Sequence, residues 1–212
     1  MLCYTCNKKL PPSPAKTNTL ICQACRDGFV PVSFNKCVPL ADGHNLNYTT
    51  LFLYDSTLKQ ALHNFKFRKE IRLRKLFTNM FLEHFNLLSP PDIIIPVPSH
   101  PITNIKRGYI PIYLVTKKIC SVSGIPLSYS INKYFFKRSN QSQKQQNREQ
   151  RISNMGNRFY IKKKYIPTIK DKKILLMDDV ITTGSTITEC AELLYRHGAR
   201  EVEALVLAAT PI

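Results

Sequence analysis

The chain has 212 residues, of which 43% are hydrophobic, so it has room for one domain with its own core and a small additional module. Its longest apolar stretches are far shorter than the roughly 20 residues that cross a bilayer, and its first residues lack the pattern of a secretory signal. These features exclude wholesale disorder and a membrane-spanning helix, and they predict a cytoplasmic protein.

Basic residues dominate the chain, but they are unevenly distributed. The sequence has 31 Lys and Arg against 14 Asp and Glu, a formal charge of +17. Residues 133–173 include thirteen basic residues and two acidic ones, Glu149 and Asp171. Such a local excess favours a polyanionic partner, although a merely solvated charge run has the same composition.

Four cysteines near the start of the chain have the spacing of a tetrahedral zinc site. Cys3 and Cys6 form one C-x-x-C pair, and Cys22 and Cys25 form a second pair after fifteen intervening residues. Because four thiolates leave no open coordination position, the zinc would be structural. We predict a zinc-binding module over residues 1–40, with a redox or disulfide pair as the alternative. The remaining cysteines are interpreted as buried thiols: Cys37, Cys120 and Cys190.

From residue 41 onward, strand and helix patterns alternate. Strands are predicted at 47–54, 92–98, 129–136, 158–165, 173–180 and 201–210. Helical spacing covers 58–85, 113–122 and 187–198, and Gly124 is expected to close the second of these helices. This alternation predicts an α/β fold in which helices pack on a mostly parallel sheet.

The segment 174–186 joins a buried strand to two carboxylates and a hydroxyl-rich loop. Asp178 and Asp179 follow four apolar residues. The loop and helix start after them contain Thr182, Thr183, Gly184, Ser185 and Thr186. Backbone amides at a helix start bind phosphate, a glycine lets that phosphate approach, and paired carboxylates accept hydrogen bonds from vicinal hydroxyls. The segment therefore predicts a site for a phosphorylated ribose, with an ordinary capped loop as the alternative.

This segment resembles the 5-phosphoribosyl-1-pyrophosphate (PRPP) signature of type I phosphoribosyltransferases. Together with the four cysteines it is similar to the ComF family of competence proteins. Further matches to that family are the segments 65–67, 96–98 and 106–109, and Gln143 with Arg151 and Asn154. The resemblance implies a Rossmann-like phosphoribosyltransferase domain over residues 41–212. It also implies that Asp178 and Asp179 hold the ribose diol, that residues 182–186 hold the 5-phosphate, and that Lys106 and Arg107 lie near the pyrophosphate and its Mg²⁺. The chain departs from these relatives in the turn after Gly108, where Tyr109 is followed by Ile110 and Pro111 in place of the usual Asn and Gln. It departs again at Thr182, where purine-salvage enzymes often have an acidic residue.

A polar, basic tract of about 137–157 interrupts the α/β pattern. Glutamines lie among its cations and aromatic residues lie at its ends, a composition that suits single-stranded nucleic acid. The residues expected to contact DNA are Lys144, Arg148, Arg151, Lys162, Lys163 and Lys164. A mobile lid over PRPP is the rival interpretation.

These features lead to the hypothesis of a competence protein that binds PRPP with Mg²⁺ and single-stranded DNA. It would assist the import or handling of incoming DNA together with DNA-import or recombination proteins. No segment clearly supplies a nucleobase pocket, and the alternative is an active phosphoribosyltransferase that transfers phosphoribose to a nucleobase or amine.

Overall fold

A computed structural model describes residues 2–10, 20–85, 89–99, 108–134 and 158–210. Its strands are β1 (Pro31–Pro39), β2 (Asn45–Leu53), β3 (Ile93–Pro96), β4 (Ile131–Lys133), β5 (Phe159–Ile161), β6 (Lys173–Ile181) and β7 (Glu201–Ala209). The helices are α1 (Gln23–Asp27), α2 (Ser56–Phe67), α3 (Leu73–Phe85), α4 (Pro111–Ser123) and α5 (Ser185–Arg196), with a 3-10 helix at Lys163–Thr168. Within these ranges, none of the helices combines the length and apolarity needed to span a bilayer.

The central sheet has five strands in the order β1-β2-β7-β6-β3. Four of them, β2, β7, β6 and β3, run parallel, and β1 is antiparallel to β2 at one edge. This arrangement confirms the predicted α/β fold with a mostly parallel sheet. The sequence pattern did not indicate β1, which lies within residues 1–40 and adds an edge strand to the sheet. The boundary at residue 40 stays a prediction.

Helices cover both faces of the sheet. Alternate residues of β6 belong to two different buried clusters, with Leu175 and Met177 in one and Ile174 and Leu176 in the other. A strand that is buried on both faces is apolar at every position, which explains the continuous run before Asp178. The first cluster contains residues of α2, α3 and α4, and the second contains residues of α5, β4 and β5.

The N-terminal residues pack on the same side as α2 and α3. Cys3, Ile21 and Cys25 belong to the first buried cluster, together with Phe65 of α2 and Phe77 of α3. The four-cysteine region therefore lies against the helices that cover one face of the sheet.

Two parts of the predicted element pattern are wrong in detail. The helical spacing over 58–85 gives two helices, because α2 ends at Phe67 and Lys69 takes a left-handed conformation with φ 58°. The strands predicted at 129–136 and 158–165 do not join the main sheet; β4 and β5 pair with each other, antiparallel. By contrast, α4 ends as predicted, with Gly124 in the left-handed region at φ 74°.

Candidate functional site

The carboxyl ends of β3 and β6 lie side by side. Pro96 is the register partner of Met177, and the Val97 N–H donates to the Met177 carbonyl over 2.8 Å. Asp178 and Asp179 come directly after Met177 on β6 and so lie beside the segment that leaves β3. This edge is where parallel α/β sheets bind ligands.

A cavity of about 270 Å³ lies at this edge. Its lining comes from α2, the segment after β3, α4, β4, β6 and α5: Lys66, Val97, Pro98, Ser99, Pro111, Ile112, Lys133, Asp178, Asp179 and Thr186. An adjoining space of about 40 Å³ is lined by the loop between β6 and α5 and shares Asp178 and Thr186 with the larger cavity. The structure thus brings together the candidates of the 178–186 segment, and their role as ligand contacts stays a prediction.

The start of α5 is open to an anion. Gly184, the N-cap residue, has φ 81° and makes no side-chain cap hydrogen bond. In this turn the Ser185 N–H donates to Thr183 Oγ1 over a long 3.4 Å. Thr188 donates its N–H to the Gly184 carbonyl over 3.0 Å. The amides of the turn before Thr188 have no helical carbonyl to reach, and they carry the positive end of the helix dipole. A phosphate is the kind of group that such a loop can bind.

The two carboxylates have different electrostatic environments. Asp179 forms an ion pair with Lys66, with 2.6 Å between Nζ and Oδ1. Asp178 Oδ1 accepts the Asp179 N–H over 2.8 Å. Burial and the neighbouring charge of Asp179 raise the pKa of Asp178 to about 8, although that hydrogen bond and the charges of Lys66 and Lys133 oppose the rise. The surroundings of Asp178 therefore favour its protonated form near neutral pH.

Lys66 and Lys133 are site residues that sequence reasoning missed. Lys66 lies in the last turn of α2 and Lys133 ends β4, so each reaches the cavity from an element far from 178–186 in the chain. Burial lowers the pKa of Lys133, and the nearby Arg158 lowers it further. The similarity of segment 65–67 to the ComF family was the available signal for Lys66, and Lys133 had none beyond its charge.

The four cysteines form one cluster. Their sulfur atoms all lie within 4.8 Å of one another, with 3.8 Å between Cys3 and Cys25 and 3.6 Å between Cys6 and Cys22. A tetrahedral zinc ion with Zn–S bonds of about 2.3 Å requires sulfur separations of about 3.8 Å. The four-cysteine cluster can therefore hold zinc, and its cysteines form no disulfide.

Backbone amides favour the thiolate form of Cys3. Its Sγ accepts N–H groups of Thr5 at 3.4 Å, Cys6 at 3.5 Å and Cys22 at 3.3 Å. Burial opposes ionisation, but the hydrogen bonds from Cys6, Cys22 and Thr5 outweigh it and lower the pKa of Cys3 to about 6. Burial raises the pKa of Cys25, and the other three cysteines raise it further. Divalent zinc would stabilise the additional thiolates.

The remaining cysteines differ in exposure. Cys120 and Cys190 are buried, as predicted, whereas Cys37 on the edge strand β1 is exposed. The prediction of a buried thiol is therefore wrong for Cys37, because β1 has a neighbour on one side alone.

The DNA candidates are partly placed by the structure. Lys162, Lys163 and Lys164 are exposed at and beside the start of the 3-10 helix. The ring centroids of Tyr134, just after β4, and Tyr160 of β5 lie 4.5 Å apart, whereas Phe159 is buried. The tract 137–157 lies outside the described residues, and with it three DNA candidates: Lys144, Arg148 and Arg151. The two candidates for the pyrophosphate, Lys106 and Arg107, also lie outside them.

Comparison with known proteins finds relatives that are named as competence proteins and DNA utilization proteins. Competence protein ComFC of Streptococcus pneumoniae is 25% identical over 166 residues, which cover 78% of this chain and 70% of the relative. Competence protein F of Haemophilus influenzae is 29% identical over 163 residues, or 73% of this chain and 69% of the relative. DNA utilization protein YhgH of Salmonella typhimurium is 26% identical over 164 residues, or 74% and 69%.

This chain was also compared with solved structures and with models of protein families. Among solved structures, glutamine phosphoribosylpyrophosphate amidotransferase from B. subtilis is 16% identical with a TM-score of 0.45; the match covers 69% of this chain and 27% of that chain. This chain thus spans about a quarter of that enzyme. Residues 102–212, slightly more than half of the chain, match the family model of the phosphoribosyl transferase domain. The chain therefore belongs to the phosphoribosyl transferase domain family and is a relative of the ComF and ComFC competence proteins.

Proposed function

We propose that this protein binds PRPP with Mg²⁺ beside Asp178 and Asp179, binds single-stranded DNA through its basic tract, and assists the handling of incoming DNA in the cytoplasm. One observation carries the PRPP proposal: Asp178 and Asp179 line the same cavity as Thr186 at the start of α5, and the adjoining space is lined by the loop before that helix. Phosphoribosyl transferase domains generally use PRPP with Mg²⁺, which agrees with this chemistry.

The site offers one group for each part of PRPP. The amides at the start of α5 would bind the 5-phosphate, and Asp178 and Asp179 would accept hydrogen bonds from the ribose hydroxyls. Lys66 and Lys133 line the same cavity and would offset the negative charge of the ligand. Magnesium binds chiefly through the phosphates of its ligand and keeps several waters, so no dedicated protein cage is required.

The DNA part of the proposal has separate support. The relatives are named as competence and DNA utilization proteins. The exposed lysines at 162–164 follow the strand β5, where the chain leaves the basic tract. A row of exposed cations near paired aromatic rings suits the backbone and bases of a single strand.

Calorimetric titration with PRPP and Mg²⁺ tests the ligand site. Asp178→Asn combined with Asp179→Asn should weaken binding about 100-fold, because amide oxygens are weaker acceptors for the ribose hydroxyls than carboxylate oxygens and the new NH2 groups can only donate. Asp171→Asn makes the same chemical change in an exposed loop and should bind like the wild type. Stabilisation by PRPP that persists in the double variant would refute the assignment of the diol contacts.

Fluorescence anisotropy with a labelled oligonucleotide tests the DNA surface. If about six phosphates are neutralised, affinity for a single strand should fall about 300-fold between about 50 and 200 mM salt. Replacing Lys162, Lys163 and Lys164 by Ala should reduce the slope of this salt dependence by about two. A control with Lys59, Lys117 and Lys118 replaced by Ala removes the same charge elsewhere. If both triple variants lose the same affinity for the oligonucleotide, residues 162–164 do not form the DNA surface.

Family membership favours a second candidate, transfer of phosphoribose from PRPP to a nucleobase or amine. Release of pyrophosphate with a panel of acceptors distinguishes the two functions. Steady turnover with one acceptor would favour the enzyme, and binding of PRPP without turnover would favour the role in DNA handling.

A further inference from the structure

The turn formed by Cys3 to Cys6 contacts the end of α2 through one buried side chain. Asn64 is 1% exposed, and its Nδ2 donates to the carbonyls of Tyr4 at 2.8 Å and Thr5 at 3.1 Å. Its Oδ1 accepts from Gln60 Nε2 at 3.0 Å. Both amide hydrogens of Asn64 are therefore used on the cysteine turn, and its oxygen is used within α2.

The peptide groups that Asn64 holds are the same groups that contact Cys3. The Tyr4 carbonyl shares a peptide with the Thr5 N–H, and the Thr5 carbonyl shares one with the Cys6 N–H; both N–H groups donate to Cys3 Sγ. In a planar trans peptide the N–H and C=O point in opposite directions. Each group thus binds the Cys3 sulfur on one side and Asn64 on the other. Anything that fixes the Cys3 sulfur, such as a bound metal, also fixes Asn64.

The other end of this connection reaches the ligand site. Lys66 follows Asn64 by two residues, and its ion pair with Asp179 joins side chains that are 19% and 22% exposed. Between them Phe65 is buried, and Tyr109 donates its hydroxyl to the Phe65 carbonyl. The helix turn that carries Asn64 and Lys66 is therefore held on both sides, and a shift of Asn64 moves Lys66 with it.

We propose that the four-cysteine cluster positions the PRPP site, acting through Asn64 and Lys66 on Asp179. This inference rests on the PRPP binding proposed above. With metal bound, the cysteine turn anchors α2, and Lys66 holds Asp179 in place for the ribose hydroxyls. Loss of the metal frees the turn and the last turn of α2, so Asp179 loses its fixed partner and PRPP binds more weakly. Asn64 and Lys66 are thus positioning residues for the ligand.

Asn64→Ala is the central test, with Gln60→Ala as its matched control. The first substitution removes both bonds to the cysteine turn, whereas the second removes the bond within α2 and leaves the link intact. We expect Asn64→Ala to keep one zinc per chain, to bind PRPP about 10-fold more weakly, and to show faster hydrogen exchange over residues 61–67. Gln60→Ala should stay within about 2-fold of the wild-type PRPP affinity.

A double variant separates positioning from general damage. If Asn64 acts through Lys66, then Lys66→Met with Asn64→Ala should bind PRPP no more weakly than Lys66→Met alone. Losses that simply add in the double variant would overturn the proposal, as would wild-type PRPP affinity in Asn64→Ala.

Metal removal from the wild-type chain gives a test that needs no variant of Asn64. Removal of zinc by a zinc-selective chelator, with Mg²⁺ kept in excess for PRPP, should weaken PRPP binding in the wild type but leave the affinity of Lys66→Met unchanged. An equal effect in both proteins would overturn the proposal. If the wild-type protein does not bind PRPP, the proposed function fails, and hydrogen exchange still tests the link. Unchanged exchange over residues 61–67 after chelation would then refute it.

Discussion

At the scale of single residues, Asp178 and Asp179 are neighbours in different electrostatic environments. Asp179 has a cation from α2 within 2.6 Å, whereas burial and the charge of Asp179 favour the protonated form of Asp178. Two fixed negative charges side by side would repel each other in the unliganded protein. Protonation of Asp178 reduces that repulsion and provides one O–H that can donate to a ligand oxygen.

The raised pKa of Asp178 predicts a stabilising substitution. The folded state keeps a proton that the unfolded chain releases above its pKa of 3.8, so stability falls as pH rises from about 4 to about 8. Asp178→Asn removes this loss because its amide stays neutral. We expect equal stability near pH 4 and a variant more stable than wild type by about 2 kcal/mol near pH 8.

Urea unfolding at pH values of about 4, 6 and 8 measures this difference. Asp179→Asn is the contrasting variant, because it removes the partner of Lys66 and should lower the unfolding free energy at neutral pH. Wild-type and Asp178→Asn curves that coincide at all three pH values would contradict the protonated state of Asp178.

At the scale of elements, the local sequence pattern identified buried strands and sites whose residues are adjacent in the chain. The strand β6 was predictable because burial on both faces makes it apolar at successive positions, and the 178–186 segment because its ligand-binding groups are adjacent in sequence. The edge strand β1 was not predictable, because its residues are mostly exposed and do not alternate between buried and exposed positions. Its strand conformation comes from pairing with β2, which a local pattern does not encode.

The β4–β5 pair shows the same limit at the functional site. Each strand has three residues, so the pattern predicts a strand without indicating its sheet. Contacts with α5 decide the placement: Phe159 is buried in the cluster that contains α5, and Arg158 forms an ion pair with Glu189 at 2.7 Å. Lys133 reaches the cavity because of this placement, and nothing local distinguishes it from the other basic residues of the chain.

At the scale of the whole molecule, the N-terminal region and the sheet share buried contacts. Cys3, Cys25 and Phe29 lie in one hydrophobic cluster with Phe65 and Phe77. The strand β1 continues the sheet through β2. Loss of the four-cysteine cluster therefore removes support from α2 and α3 as well as from the residues around the metal. Such sharing predicts cooperative rather than separate unfolding.

Metal removal should consequently lower the stability of the whole chain in one transition. We expect chelation, or Cys22→Ser, to reduce the unfolding free energy by about 3 kcal/mol or more and the melting temperature by about 10 °C. Differential scanning calorimetry of the full chain measures both. Cys37→Ser changes an exposed cysteine outside the cluster and should melt like the wild type. Shared buried contacts should lower the melting temperature of the whole chain. Two transitions after chelation, with the larger one at the wild-type temperature, would contradict this and show that the residues around the metal fold independently of the sheet.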